Sequence, residues 1–126
     1  MKTKTAIVIL NWNGVAMLQR FLPLVLEHSA EAEVIVADNA STDQSVAMMR
    51  EHFPQVRLVL LDSNYGFAEG YNLALKQVEA DYYLLLNSDV EVGEGWLNPI
   101  VDFLDTHPEY CACQPKLRAW HRRSHY

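Results

Sequence analysis

Five short apolar segments alternate with four amphipathic segments along the 126 residues of this chain. The apolar segments lie at residues 5–10, 33–37, 57–61, 82–86 and 110–119, the last interrupted by Pro115. Apolar runs without a polar face are typical of strands that are covered on both faces of a parallel sheet. Strands that alternate with helices favour an α/β fold with a Rossmann-like, doubly wound, mostly parallel sheet. We predict that sheet, with residues 82–86 at its centre.

The amphipathic segments predict the helices between these strands. They are expected at residues 15–28 and 44–53, from the glycine-punctuated loop at 62–72 to about residue 79, and from residue 96 to about 107. Pro23 should kink or restart the first helix, because proline removes a backbone donor. Ser41 or Thr42 is expected to cap the second helix, with Asp43 in its first turn.

Length and composition indicate one compact domain, or part of one, that can fill a hydrophobic core, since half of the residues are hydrophobic. The 10 basic and 16 acidic residues leave a net charge of −6, which argues against a nucleic-acid partner. Cys111 and Cys113 would point the same way on a strand, so we expect reduced thiols. No segment approaches the roughly 20 apolar residues of a transmembrane helix. We expect a cytoplasmic protein, with peripheral attachment to the inner face of the membrane left open.

Polar side chains follow each of the first four predicted strands. They are Asn11 and Asn13, then Asp38, Asn39 and Ser41, then Asn64 and Asn72, and finally residues 87–91. The carboxyl ends of parallel strands lie at one edge of a sheet, where open α/β sheets bind ligands. We therefore predict a pocket at this edge for a ligand rich in hydrogen-bonding groups.

The fourth of these turns also carries carboxylates, at Asp89 and Glu91. Carboxylate oxygens are hard ligands of the kind that Mg²⁺ prefers, and a cation held there would neutralise the charge of a ligand's phosphates. A solvated acidic turn before the next helix is the alternative interpretation.

Several common catalytic motifs are absent from the sequence. It contains no G-x-x-x-x-G-K-[ST] phosphate loop, and no G-x-G-x-x-G follows the first strand. Nor does it contain the G-x-S-x-G of serine hydrolases. A P-loop phosphotransferase, a dinucleotide-dependent dehydrogenase and a serine hydrolase are therefore disfavoured.

Four segments in order carry a family resemblance: IVILNWNG, VIVADNASTDQS, NYGFAEGYN, and YYLLLNSDVEV with GWL after it. Together they resemble the nucleotide-sugar-binding half of a family 2 glycosyltransferase with the GT-A fold, in the branch that includes bacterial rhamnosyltransferases of surface-polysaccharide assembly. The resemblance extends from about residue 5 to residue 117. It implies inverting transfer of a sugar from a UDP- or dTDP-linked donor to a hydroxyl of a saccharide or lipid-linked acceptor, with Mg²⁺ or Mn²⁺ as cofactor.

The resemblance also implies roles for particular residues. Asp38 would accept a hydrogen bond from the pyrimidine ring, and Trp12 would stack on that ring or close over it. The full implied nucleotide-sugar site is Leu10, Asn11, Trp12, Asp38, Asn39, Ser41, Asn64, Gly66, Phe67, Gly70, Asn72 and Ser88. Asp89 would be the main metal ligand and Glu91 the second, whereas Ser88 stands where many relatives have another aspartate. Local packing is the alternative for each, for example Asp38 as the cap of its turn.

The general base of such enzymes lies in an acceptor-binding half, which would follow residue 126. We therefore expect residues 1–126 to be one GT-A domain, truncated before that half, which binds donor without turnover. Two other interpretations stay open. One is a non-catalytic α/β binding module that forms a homodimer through an exposed sheet edge. The other is a receiver-like domain using Lys116, which would leave the NASTD and GFAEGYN loops unexplained.

Overall fold

In the computed structural model, residues 3–88 and 90–107 are described, and within them four strands alternate with four helices. The elements are β1 (Thr3–Asn11), α1 (Val15–His28), β2 (Glu33–Asp38), α2 (Ser45–His52), β3 (Arg57–Leu60), α3 (Gly66–Leu75), β4 (Ala80–Asn87) and α4 (Leu97–Thr106). Neighbouring strands are parallel throughout, in the order β3-β2-β1-β4. The predicted α/β sheet is confirmed. The predicted fifth strand and both cysteines lie outside the described residues.

The prediction that residues 82–86 form the centre of the sheet is wrong for the described part of the chain. There β1 and β2 lie inside the sheet, and β4 is an edge strand paired with β1. Side chains of β4 alternate between half-buried and exposed, and Leu85 is 51% exposed. An apolar run shows that both faces can be covered, but the position of the neighbouring helices decides whether they are.

The core has one layer on each face of the sheet. Ile7 and Ile9 of β1 pack among residues of α1, α2 and α4. Ala6 and Val8 point to the opposite face, where α3 covers them. This alternation follows from the two-residue period of a strand. Burying each large aliphatic side chain contributes about 1.5–3 kcal/mol, so the two layers supply the main stabilisation of the sheet.

The α3 helix lies close to the end of β1 because Gly70 has no side chain. A Cβ atom built on Gly70 would lie 3.1 Å from a methyl carbon of Leu10 and 3.1 Å from the amide nitrogen of Asn39. Such distances are tighter than nine in ten real Cβ contacts. The glycine therefore sets how closely α3 approaches the carboxyl edge of the sheet.

Two predictions about the helices are corrected. Helix α1 continues through Pro23, so the predicted restart is wrong, while the predicted kink stays a prediction. The N-cap residue of α2 is Gln44, and neither Ser41 nor Thr42 caps that helix. Their side chains bond instead to Asp38 and Asn13.

The α3 helix ends at Leu75, four residues before the predicted end. Tight turns follow it, because Gln77 donates a backbone hydrogen bond to Ala74 and Val78 donates one to Leu75. Within the described ranges, no helix has the length and apolar character needed to cross a membrane.

Candidate functional site

The four parallel strands bring their carboxyl ends to one edge, as the sequence predicted. From β1 the sheet extends to β2 and β3 on one side and to β4 on the other. Helices α1, α2 and α4 pack on one face, and α3 packs on the opposite face. The chain therefore reverses its winding between β1 and β4, and ligands of open α/β sheets bind at such a point.

Asp38 connects the loops that follow β1 and β2. Its side chain is 3% exposed, and it pairs in register with Asn11. One carboxylate oxygen, Oδ1, accepts hydrogen bonds from Asn11 Nδ2 at 3.0 Å and from the Ser41 hydroxyl at 2.7 Å. The other accepts one from the Ser41 backbone N–H at 2.8 Å. Two strand ends and a loop are thereby held around one buried carboxylate.

Asn13 makes a second connection between the same loops. Its backbone has φ of 52°, a left-handed conformation that asparagine tolerates better than most residues. Its side-chain oxygen accepts hydrogen bonds from the backbone N–H of Thr42 at 2.7 Å and of Asp43 at 3.2 Å. Its own N–H donates to the Ser41 hydroxyl at 2.9 Å. Sequence reasoning placed Asn13 at this edge without assigning it that role.

Asn39 connects the loop after β2 to a third loop, which precedes α3. Its side chain is 2% exposed. Its amide nitrogen donates to the side-chain oxygen of Asn64 at 3.1 Å and to the carbonyl of Gly66 at 3.0 Å. Its amide oxygen accepts a hydrogen bond from the N–H of Tyr65 at 3.0 Å. The chain enters α3 at Gly66 with a φ of 79°, a conformation that a residue without a Cβ atom adopts readily.

Sequence reasoning placed Asp43 in the first turn of α2, but that prediction is wrong because α2 begins at Ser45 and Asp43 precedes its N-cap residue, Gln44. Its carboxylate accepts hydrogen bonds from the N–H of Val15 at 3.2 Å, at the start of α1, and from the N–H of Ser45 at 2.9 Å, at the start of α2. Burial tends to raise the pKa of Asp43, but the hydrogen bonds from Ser45 and Val15 outweigh it and lower that pKa. One anion therefore serves the positive ends of two helix dipoles.

Many of the polar side chains that were predicted to bind a ligand therefore hold the loops together instead. Asn11, Asp38 and Asn39 are each exposed by 3% or less. Ser41 is also bonded within the network, while Asn64 and Asn72 are exposed, and Leu10 and Ser88 are half-buried. Contacts of any of these residues with a nucleotide sugar remain predictions.

Two aromatic side chains remain open to solvent at this edge. Phe67, at 64% exposed, and Trp12, at 54%, have the highest exposures among the large hydrophobic residues of the described chain. Trp12 directly follows β1, and Phe67 lies in the first turn of α3. The ring of Phe67 packs edge-to-face on Tyr71, with centroids 4.9 Å apart. Exposed rings on a structured rim can stack on a flat ligand.

The loop after β1 closes against the turn after β4 at Gly14. A Cβ atom built on Gly14 would lie 2.6 Å from the side-chain oxygen of Asn11 and 3.4 Å from the hydroxyl of Ser88. Real Cβ atoms essentially never come within 3.0 Å of another atom. Gly14 therefore allows these two loops to meet where the winding of the sheet reverses.

Of the two predicted metal ligands, Asp89 lies outside the described residues and Glu91 is exposed. Within residues 3–88 and 90–107, no group of three or more His, Cys, Asp or Glu side chains is arranged to hold a metal ion. Mg²⁺ commonly takes only one or two carboxylates and completes its shell with water and substrate phosphates. The donor chemistry of the turn therefore fits a divalent cation, and the metal site stays a prediction.

Comparison with known proteins identifies the class. Residues 6–119 match the family model described as Glycosyl transferase family 2, so the chain belongs to that family. The sequence motifs and the parallel sheet agree with this assignment.

Two curated relatives illustrate the range of the family. The chain is 28% identical to an N-acetylglucosaminyl-diphospho-decaprenol L-rhamnosyltransferase of Mycobacterium tuberculosis, over 80% of this chain and 37% of the relative. It is 25% identical to a teichoic acid poly(glycerol phosphate) polymerase of Staphylococcus epidermidis, over 85% of this chain and 18% of the relative. The chain thus spans well under half the length of either.

Solved structures agree on the fold. TarS residues 1–349 from Staphylococcus aureus, in complex with UDP-GlcNAc, superpose with a TM-score of 0.70 at 26% identity, covering 83% of this chain and 32% of that 1–349 chain. The mannosyltransferase PcManGT from Pyrobaculum calidifontis, in complex with GDP-Man and Mn²⁺, gives a TM-score of 0.71 at 22% identity, covering 82% of this chain and 33% of that one. The predicted GT-A fold is confirmed by these neighbours.

Proposed function

We propose that this chain is the donor-binding part of a glycosyltransferase that moves a sugar from a nucleoside diphosphate, UDP or dTDP, to a hydroxyl of a saccharide or lipid-linked acceptor. Inversion at the anomeric carbon and a role in cell-surface polysaccharide synthesis belong to the same proposal. Family membership supports glycosyl transfer, and the UDP-GlcNAc complex of TarS supports a uridine-type donor.

The observation that carries the proposal is the pair of exposed rings beside a buried polar network. Trp12 and Phe67 stand at the carboxyl edge, while Asp38 and Asn39 hold the loops beneath them. An aromatic ring can stack on a base, and stacking contributes about 1–3 kcal/mol per base. A rigid rim reduces the entropy that binding would otherwise cost.

We place the diphosphate near the turn after β4. Asp89 and Glu91 would hold a divalent cation there, and the cation would stabilise the charge that develops on the departing diphosphate. Ser88 would supply a neutral hydroxyl beside them. The half-buried position of Ser88, near Gly14, supports placing this turn next to the loop after β1.

The test is thermal unfolding with UDP, dTDP or GDP, each with Mn²⁺, Mg²⁺ or EDTA. We expect UDP or dTDP to raise the unfolding temperature only when the metal is present, because a ligand stabilises the state that it binds. Asp89→Ala should remove this shift and leave the fold intact. A chain with no shift for any nucleotide and metal pair would contradict the proposal.

Two aromatic variants locate the base in the same assay. Trp12→Ala should reduce the shift, whereas Phe103→Ala should not. Phe103 is a partly exposed ring on α4. Lys4 donates a 2.9 Å hydrogen bond to Asp105, which joins the last turn of α4 to the start of β1, the end of the strand opposite the carboxyl edge. Equal loss in both variants would mean that the aromatic rim does not hold the base.

The exposed side of β4 favours a second candidate function, a self-associating module. Leu85 is 51% and Tyr83 40% exposed on one face of this strand, which among the described residues pairs with β1 alone. Such edges pair readily with another chain. Mass measured by size-exclusion chromatography with light scattering separates the two: a dimer without nucleotide affinity favours the module.

A further inference from the structure

The amide of Asn11 is fully buried, and its orientation is set by its partners. Its side chain is 1% exposed. The nitrogen donates to the Asp38 carboxylate at 3.0 Å and to the Ser41 hydroxyl at 3.3 Å, which uses both of its hydrogens. Turning the amide over would place its oxygen against that carboxylate, an acceptor facing an acceptor. The nitrogen must therefore face Asp38.

The other end of the same amide faces Gly14. Its oxygen is buried and makes no hydrogen bond in the described part of the chain. A Cβ atom on Gly14 would come within 2.6 Å of this oxygen. The amide therefore lies between a carboxylate that needs its nitrogen and a glycine that leaves room for its oxygen. An isolated buried amide oxygen costs about 1–3 kcal/mol, so this arrangement is maintained against a penalty.

We infer that Asn11 is a positioning residue that holds the Asp38 carboxylate in the orientation required for nucleotide binding. This inference rests on the proposed function, with Asp38 as the acceptor for the pyrimidine ring that the family resemblance implies. In this role Asn11, which is 1% exposed, does not contact the nucleotide, in contrast to the direct contact that the family resemblance implies. It acts by keeping Asp38 and Ser41 together at the point where the winding of the sheet reverses.

Asn11→Asp tests the inference because it keeps the shape and removes the donor. Two buried carboxylates about 3 Å apart repel each other strongly when both are ionised, so the pair keeps one proton to a higher pH than a single carboxyl would, and its apparent pKa rises. At about pH 5 the shared proton restores a hydrogen bond between residues 11 and 38, and at about pH 8 its loss drives them apart. Asn98→Asp is the control, since Asn98 is exposed in the first turn of α4.

The measurements are calorimetric affinity for UDP with Mn²⁺, and urea unfolding, at both pH values on the whole chain. We expect Asn11→Asp to bind UDP at least about tenfold more weakly than the wild type at about pH 8 and nearly as well at about pH 5. Asn98→Asp should follow the wild type at both. Equal affinity of Asn11→Asp and wild type at about pH 8, or an equal deficit at both pH values, would overturn the inference.

A second variant separates positioning from a merely structural role and covers a failure of Asn11→Asp to fold. Asn11→Asp combined with Asp38→Asn exchanges donor and acceptor, so the hydrogen bond can form again without a shared proton. We expect this double variant to recover stability at about pH 8 but not UDP affinity, because the carboxylate has moved. Recovery of both stability and UDP affinity would show that Asn11 has only a structural role, and would overturn the inference.

The proposed function can fail separately from this inference. A wild-type chain that binds neither UDP nor dTDP with metal contradicts the proposed function. The assignment of Asn11 to Asp38 is then judged by urea unfolding alone. The hydrogen bond between Asn11 and Asp38 is then supported only if the loss of stability of Asn11→Asp at about pH 8 disappears at about pH 5. In that case the role of Asn11 in positioning Asp38 for a nucleotide is overturned.

Discussion

The indole N–H of Trp96 donates a hydrogen bond to the hydroxyl of Ser29 at 2.8 Å, and so connects the N-cap of α4 to the residue that follows α1. Ser29 is 1% exposed, so this polar contact is shielded from water. The bond therefore connects the start of α4 to the end of α1 on the same face of the sheet.

Ser29→Ala should lower the free energy of unfolding by about 1–2 kcal/mol, since it leaves a partly buried indole N–H without its acceptor. Urea denaturation measures this loss. In a double-mutant cycle with Trp96→Phe, the second change should cost less in the Ser29→Ala background. Additive losses would show that the two side chains do not depend on each other.

Gly14→Ala should destabilise the chain by about 1–3 kcal/mol, because the new methyl group would be forced against the buried oxygen of Asn11. Gly93→Ala is a matched control, since a Cβ atom there would meet nothing within 4 Å. We expect that control to stay within about 0.5 kcal/mol of the wild type. Similar urea midpoints for both variants would contradict the close contact at Gly14.

Gly66→Ala should also be destabilising, but for a different reason. A Cβ atom at Gly66 has open space around it, whereas the φ of 79° is unfavourable for alanine by about 1–2 kcal/mol. Gly66→Asn should recover part of this loss, because asparagine tolerates the left-handed region. Thermal unfolding of the two variants decides this, and equal loss in both would point to crowding rather than backbone conformation.

The lowered pKa of Asp43 predicts a contribution to stability that depends on pH. Because the folded pKa lies below the ordinary value of 3.8, the contribution is complete above that value and is lost as the pH falls through the folded pKa. The free-energy difference between wild type and Asp43→Asn should therefore shrink when urea unfolding is repeated from about pH 6 down to about pH 2.5. A difference that stays constant over that range would contradict it.

Local pattern was enough to predict most of the secondary structure. Helix α1 has the predicted bounds, Val15–His28, because its apolar residues repeat at helical spacing within one segment. The strands β1, β2 and β3 were also recognisable, as short apolar runs ended by turn residues. Parallel pairing then followed from the alternation of strands with helices, and so did the edge at which the polar loops gather.

The hydrogen-bond partners of the loop side chains could not be predicted in the same way. From the sequence, Asn11, Asp38 and Asn39 were a set of ligand-binding candidates at one edge. In the structure they bond across 25 to 30 residues of chain to Ser41, Asn64 and one another. Whether a polar loop residue holds another loop or faces solvent depends on contacts between distant segments, which no local pattern contains.

The sequence by itself determined the α/β class, the glycosyltransferase family and the loops that form the candidate site, because each of these follows from local periodicity or from motifs in a fixed order. Only the tertiary structure decided that β4 lies at the edge of the described sheet, with Leu85 exposed. It also decided that Asp38 is buried while Trp12 is not. Burial is a property of packing between elements, and packing depends on which surfaces the folded chain brings together.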